Sequence, residues 1–370
     1  MCFDRISVAR LTPHIIRPLL PSLAPTAYEA CINLRSKPLD GHEKPKSLYR
    51  HDFMLSARKF KESAWTLTAR LHLQLPDGSQ DQHIFLKAAP GSHDRTLMEG
   101  EYNAMSELYK WAPDMDISVY FFLSEFIDME EVMPDPERLC ARLAQLHRES
   151  TSPNGEFGFH ITTCQGRIPQ SVSWEKTWTA LFTRLLLHVI KLDFTHNGPW
   201  DDLEKLETRL LSHVVPKLLR VLETEGRTLK PSLIHADLWE GNTGRCTKTG
   251  RPYIFDAAAF YAHNEMEVGN WRCHYNKIFK DGVYIDSYLK FQEPSEPKDE
   301  WDDRNRLYCI YFNIIYSVNH LGEGKAVRQT AYNDMYYLID KFAPFPEGDG
   351  PPRLSSSEMA QLSAERDHTM

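Results

Sequence analysis

LIHADLWEGN, residues 233–242, begins as an apolar run and then sets His235, Asp237 and Asn242 in the order H-x-D-x-x-x-x-N. Each residue is common alone; together they read as a device for holding something charged. The stretch PYIFDAAAF, 252–260, adds a further part, because its short apolar strand ends on Asp256, fourteen residues after Asn242. TKTG at 247–250 lies between them and is a turn by composition. A hairpin folded there returns Asp256 to the side of Asn242. Amide and carboxylate oxygens are hard ligands of the kind Mg2+ accepts, with substrate phosphates and waters completing the octahedron. Asp237 is then left to take a proton from an attacking hydroxyl, which is the division of labour of kinase-type phosphoryl transfer.

Upstream, WTLTARLHLQL, 65–75, has Trp65, Leu67, Ala69, Leu71, Leu73 and Leu75 on alternate positions, the period of a half-buried strand. PDGS, 76–79, reads as a turn and HIFLKAA, 83–89, as a second strand, giving an antiparallel hairpin. A helix follows at about 95–111, where Leu97, Ala104 and Leu108 share a face with Met105 beside them. Glu101 lies on that stripe, four after 97 and three before 104, so it points into the protein. An inward carboxylate is costly without a partner. Lys87, on the adjacent strand, is the candidate, and a lysine held by a helix glutamate can grip nucleotide phosphates. VYFFLSEFID, 119–128, reads as an apolar strand running into an extended acidic segment. Helical patterns follow at 137–149, 174–193, 201–225 and 303–320. The expected plan is an N-terminal arm over 1–45, a small strand-rich ATP-binding lobe over 46–124, a mostly helical catalytic and substrate lobe over 125–346, and a disordered tail over 347–370. Two such lobes leave a cleft between them.

The bulk composition excludes several classes. The 370 residues carry a formal net charge of -8, against a nucleic-acid binder, which usually has a basic balance. Hydrophobic content of 42% with 25% charged residues is that of a globular chain. The seven cysteines form no C-x-x-C pair and read as reduced, buried small hydrophobes of a cytoplasmic protein. The N-terminus lacks a signal-peptide apolar region, and no run approaches the roughly 20 apolar residues of a membrane span. A monomer with neither nucleic-acid nor membrane partner is expected. G-E-G-K at 322–325 fails the spacing of a Walker A loop.

HADLWEGN followed by FDAAAFYAHNEMEVG resembles the fructosamine-3-kinase family (ketosamine or ribulosamine kinases), whose usual forms are H-G-D-L-W-x-G-N and D-P-A-S-F-Y-G-H-x-E. EGEYNAM at 99–105, FGFHITTCQGRIPQ at 157–170 and WEKTW at 174–178 are similar too, so the likeness covers about 60 to 345. RNRLY and YNDMYYLIDKFAP look like the branch found in filamentous fungi. The resemblance implies an α+β, two-lobed protein-kinase-like fold of the aminoglycoside-phosphotransferase type. It also implies ATP- and Mg2+-dependent phosphorylation of the 3-hydroxyl of fructosamine or ribulosamine adducts, on glycated protein lysines or small molecules. Such phosphates decompose and free the amine, a deglycation repair. Carried over by motif, Lys87 and Glu101 anchor ATP, Asp237 is the catalytic base, and Asn242 and Asp256 are the metal ligands. Glu125, Phe126 and Ile127 of the SEFI segment form the adenine-contacting hinge, with Trp239, His263 and His320 on the substrate side. Trp239 is equally readable as core packing, and His235 as a brace for its loop.

The chain departs from the family at several points. Ala236 and Ala262 stand where glycine is usual, and Ala257–Ala259 replace Pro-Ala-Ser. An added methyl is mild unless the backbone there takes a positive φ. The expected phosphate loop at 55–65, LSARKFKESAW, has no glycine and lacks the family's cysteine. YSVNHLG, 316–322, stands where the family often has N-H-W-N-H-F-G and keeps only His320 of its His-Trp-His set. That change favours another hydroxyl acceptor, such as a secondary metabolite or aminoglycoside-like sugar. The glycine-free loop favours a nucleotide-binding pseudokinase.

Overall fold

A computed structural model describes residues 53–62, 66–74, 82–88, 94–111, 116–117, 124–125, 129–130, 132–322 and 324–353. The N-terminal arm expected over 1–45 lies outside the described residues. Strands β1 (Phe53–Glu62), β2 (Leu67–Gln74) and β3 (Gln82–Ala88) form an antiparallel meander, so the hairpin expected from the period-two pattern is present. Helix α1 (Asp94–Trp111) follows. Three two-residue strands come next: β4 (Asp116–Ile117), β5 (Ser124–Glu125) and β6 (Met129–Glu130). β5 pairs with β3, Ile84 opposite Glu125, and completes a sheet of order β1-β2-β3-β5. On α1 the buried stripe is Met98, Glu101, Met105 and Leu108, with Leu97 only half-buried. The inward face is therefore rotated slightly from the expected one, and Glu101 stays on it.

The helical part opens with α2 (Pro136–Glu149). Asp135 caps it by accepting from the Arg138 N–H at 2.9 Å, and Pro136 takes the first position, where no N–H is needed. A small hairpin, β7 (Cys164–Gln165) and β8 (Ile168–Pro169), precedes α3 (Trp178–Asn197). The single helix expected over 201–225 is broken into α4 (Asp201–Arg209), a wide π turn at Leu210–Val214, α5 (Val215–Leu219) and a 3-10 turn at Arg220–Glu223. Pro216 is the cause: it has no N–H to donate, and its ring crowds the carbonyl one turn back.

Then come β9 (Ser232–Ile234), β10 (Thr243–Cys246), β11 (Pro252–Ile254) and β12 (Phe260–Ala262), followed by α6 (Glu265–Gly269), α7 (Val283–Phe291), α8 (Trp301–Asn319) and α9 (Gly324–Phe342). β9 and β12 pair antiparallel. The expected hairpin turning at 247–250 is β10/β11, and it joins β4 and β6 in a sheet of order β4-β11-β10-β6.

α8 is buried nearly all round, as befits the central helix of a bundle. Trp178 and Phe182 of α3 pack on its Tyr308, whose hydroxyl accepts from the Trp178 indole at 2.9 Å. Of the strand expected at 119–128, only Ser124–Glu125 is described, and 118–123 and 126–128 lie outside the described residues. The stretch expected to hold the phosphate loop, 55–65, is strand as far as Glu62. Residues 347–353, expected in the tail, lie against α9: Pro351 is buried, and the Tyr332 hydroxyl donates to the Pro352 carbonyl at 2.6 Å.

Candidate active site

Asp237 owes its place to the strand before it and to a brace beneath it. β9 is wholly buried, and the chain leaves it through His235, which is fully enclosed. The His235 carbonyl accepts from Ala258 N–H at 3.0 Å. Its Nδ1 accepts from Asp237 N–H at 3.3 Å, so Nε2 carries the proton and donates to the Phe255 carbonyl at 3.0 Å. Burial holds this imidazole below its ordinary pKa, consistent with a neutral brace. The N–H groups of His235 and Ala236 both donate to the buried carboxylate of Glu267, the latter at 3.1 Å. Ala236 sits at φ 62, so the methyl in place of the family's glycine falls where a side chain is strained.

The two oxygens of Asp237 are both held. Oδ1 accepts from Gln165 Nε2 at 3.1 Å and Oδ2 from Asn242 Nδ2 at 3.2 Å; Asn242 Nδ2 also reaches the Asp237 carbonyl at 2.9 Å. Loss of hydration pushes the Asp237 carboxyl up to about 8, against Gln165, with the charge of Asp256 adding to the rise.

The hairpin does what the spacing required. Phe255 N–H donates to the Asn242 carbonyl at 3.1 Å, which sets Asp256 beside Asn242. Asp256, at φ 60, projects a carboxylate that is 38% exposed. Its Oδ1 accepts from Lys87 Nζ at 2.8 Å, and the same ammonium donates to both Glu101 oxygens at 3.0 and 2.9 Å. Lys87 and Glu101 are both buried. Burial opposes the lysine's charge, but Asp256 and Glu101 outweigh it and hold Lys87 above its ordinary pKa. A buried ion pair is weak evidence for stability and, in a cleft, better evidence for a site.

Among the described residues, no group of three or more His, Cys, Asp or Glu side chains is placed to hold a metal. The pair Asn242 and Asp256 nevertheless fits a hard cation that keeps waters and phosphates as its other ligands. The Asn242 nitrogen is committed to Asp237, which leaves its oxygen for a ligand, and the Asp256 carboxylate is accessible.

The substrate-side expectations fare unevenly. Trp239 is 36% exposed on the loop after Asp237, and its ring covers Gly241, where a Cβ would meet ring carbons at 2.4 Å. A side chain at 241 would have to displace that ring. His320 is half-buried and belongs to a column of rings, stacked on Tyr316 at 4.2 Å, which stacks on Tyr275 at 4.5 Å. Tyr275 is near enough to Asp237 for that charge to raise its pKa, after burial and Cys273.

His263 does not join them. It is fully buried, with Nδ1 on the Tyr308 hydroxyl at 2.8 Å and Nε2 on the Ser295 hydroxyl at 2.9 Å, so the expected substrate contact is corrected to a packing role. Its neighbour Glu265 takes a buried two-point bond from Arg304, 2.8 and 3.1 Å. Glu125 is placed by its backbone on the strand beside β3, while Phe126 and Ile127 lie outside the described residues. Glu267 and Gln165, both in contact with the Asp237 loop, were missed by the sequence reading.

The family model of fructosamine kinase matches residues 79–346, well over half the chain and all the site residues just described. The chain belongs to the fructosamine kinase family. Similar proteins include a chloroplastic protein-ribulosamine 3-kinase of Oryza sativa subsp. japonica, 29% identical over 209 residues, and the ketosamine-3-kinase of Mus musculus, 26% identical over 275 residues. The first match covers 55% of this chain and 55% of the rice protein; the second covers 65% of this chain and 84% of the mouse protein. This fructosamine kinase relative thus spans about half the length of the rice protein. Among solved structures, a Thermobifida fusca protein assigned as a fructosamine-3-kinase superposes with a TM-score of 0.63 at 19% identity, covering 78% of this chain and 94% of that one. A thermostable mutant of an aminoglycoside phosphotransferase superposes at 0.50 and 13% identity, covering 78% and 95%. The fold is therefore the kinase-like, mixed α and β architecture of that group. No described helix is long and apolar enough to cross a membrane.

Proposed function

We propose that the protein is an ATP-dependent kinase that phosphorylates the 3-hydroxyl of ketosamines, fructosamine or ribulosamine adducts on lysine amines, and so acts in deglycation in the cytoplasm. The observation that carries this reading is the convergence of Lys87, Glu101, Asp237, Asn242 and Asp256 in one site of a fructosamine kinase chain. Asp237 accepts the proton of the acceptor hydroxyl as that oxygen attacks the γ-phosphorus, and ADP leaves with the electrons of the broken P–O bond. Its two amide donors keep the carboxylate aimed during this step. Lys87, steadied by Glu101, faces the nucleotide phosphates. Asn242 and Asp256 would hold Mg2+, which supplies neutralisation of the phosphate charge. Trp239 and the Tyr275–Tyr316–His320 column offer apolar faces to the acceptor.

A second reading keeps the chemistry and changes the acceptor to another small hydroxyl compound. The specific observation in its favour is that Ser317 and Val318, both buried, stand where the family usually has its His-Trp pair. The test is Mg2+-dependent ADP release with fructosyl-lysine and with ribulosyl-lysine, wild type against Asp237→Asn. Turnover that needs the adduct and is lost in the variant supports the ketosamine reading. Release of ADP with neither adduct eliminates it, and a Mg2+-dependent thermal shift with ATP then separates another acceptor from a pseudokinase.

A further inference from the structure

Gln165 is an unusual residue to find where it is. It lies on β7 with 6% of its surface exposed, beside the carboxylate expected to take the proton. Its Nε2 donates to Asp237 Oδ1 at 3.1 Å, and its Oε1 is buried without a hydrogen-bond partner among the described residues. In the ionised form that takes the proton, the carboxylate only accepts, and the amide nitrogen faces it. A buried carbonyl oxygen left unsatisfied costs about 1–3 kcal/mol, so a half-satisfied glutamine is a poor choice for stability alone. An apolar side chain of the same volume would serve the core better.

We propose that Gln165 is a positioning residue for Asp237 and that Asn319 is what holds Gln165. A carboxylate gripped at one oxygen can still turn about its Cβ–Cγ bond. Asp237 is gripped at both, by amides from two separate segments of the chain. Asn242 also has a cation to serve under the reading above, on which this inference rests; the Gln165 side chain has no second partner among the described residues, so it can fix the carboxylate whatever occupies the cation site.

Its own support is specific. The Gln165 backbone carbonyl accepts from Asn319 Nδ2 at 3.0 Å, and Asn319 Oδ1 accepts from Arg167 N–H at 3.2 Å. Between them Gly166 takes φ 55 and lets the Asn319 amide come where a Cβ would lie only 2.8 Å from Oδ1. Asn319 is buried and immediately precedes His320, within the segment 316–322 that departs from the family pattern. A line of direct contacts thus runs from the acceptor-side segment to the base.

The experiment compares Gln165→Met, Asn319→Ala and the double variant with wild type. ADP release is followed with each ketosamine and with water as acceptor, alongside thermal melts. Gln165→Met is expected to lower kcat about ten- to hundred-fold, as a loosely aimed catalytic group does, with KM for ATP within about twofold and Tm not lowered. Asn319→Ala is expected to give a smaller loss of the same kind, and the double variant to be no slower than Gln165→Met, because the two act through one contact. An unchanged kcat in Gln165→Met, or a loss that merely follows a lowered Tm, overturns the proposal. If wild type releases ADP only to water, the ketosamine reading fails while the Gln165 comparison is still decided in that reaction. A wild type inert toward both overturns the two together.

Discussion

Ala236→Gly isolates the strain in the loop that carries Asp237. Three effects oppose one another at this position. Relief of an alanine at φ 62 is worth about 1–2 kcal/mol. Against it, glycine loosens the unfolded chain, costing about 0.4–1 kcal/mol, and loss of a methyl that is 99% buried costs about 0.8 kcal/mol. The sum lies close to zero, so the variant is informative only beside a control. Ala258→Gly supplies one: Ala258 is fully buried, has no positive φ and suffers the same two losses without the relief. Ala236→Gly is therefore expected to be more stable than Ala258→Gly by about 1–2 kcal/mol, or about 1–3 °C in Tm for a chain of this size. Parallel thermal melts followed by far-UV circular dichroism read the difference. Equal destabilisation in the two variants would refute the view that the loop is strained at Ala236.

Glu267→Ala strands the N–H groups of His235 and Ala236 in a fully buried place, at about 1–3 kcal/mol each, so its urea midpoint should fall well below that of wild type; an unchanged midpoint would remove Glu267 as the brace. His263→Ala should lower Tm through the lost contacts to Tyr308 and Ser295 yet leave acceptor KM alone, whereas Trp239→Ala should raise acceptor KM several-fold at little cost in Tm. The reverse pattern, read by steady-state kinetics and melts, would return His263 to the pocket. Glu207 is pushed up from 4.5 to about 8 by burial, with Asp193 adding and Arg328 opposing. In that window the folded state keeps a proton the unfolded state has released, so stability falls as pH rises, by up to about 1.4 kcal/mol per unit. Glu207→Gln removes the slope, and its Tm advantage over wild type should be larger at pH 7.5 than at pH 5; an equal difference at both would show that Glu207 is not the cause.

The five residues at the centre of the site were legible because their geometry follows from short-range rules. A turn at 247–250 suffices to bring Asp256 to Asn242, and the helical period suffices to turn Glu101 inward. Glu267 was not legible: it sits in a five-residue helix, too short to show a period, and its partners lie 31 and 32 residues away. Gln165 stands on a two-residue strand and meets Asp237 across 72 positions. His263 misled because its motif places it close in sequence to Asp256, while the chain after β12 turns it toward α8. α9 carries a stripe of Val327, Ala331, Met335 and Leu338 at helical spacing, all buried, but the tyrosines and acidic residues between them blur the pattern. Pro216 is the opposite case, a visible helix breaker inside the run 201–225 that the apolar spacing on either side outweighed.

The ammonium of Lys87 joins the two parts of the site. Among the described residues its N–H groups are spent on Glu101, at both oxygens, and on Asp256, 169 residues away on the far hairpin. On the proposed reaction, a lysine so committed must trade one of these partners for a phosphate. Exposure decides which. The Glu101 side chain is 6% exposed and is held within α1, whereas that of Asp256 is 38% exposed at the end of a strand. Turning Asp256 away from the lysine leaves its carboxylate free for the task the motif assigns it beside Asn242. On the proposed reaction, the contact of Lys87 with phosphate and the duty of Asp256 to a cation are therefore released by one and the same rotation, and Glu101 is the partner that keeps the lysine charged and aimed while it happens.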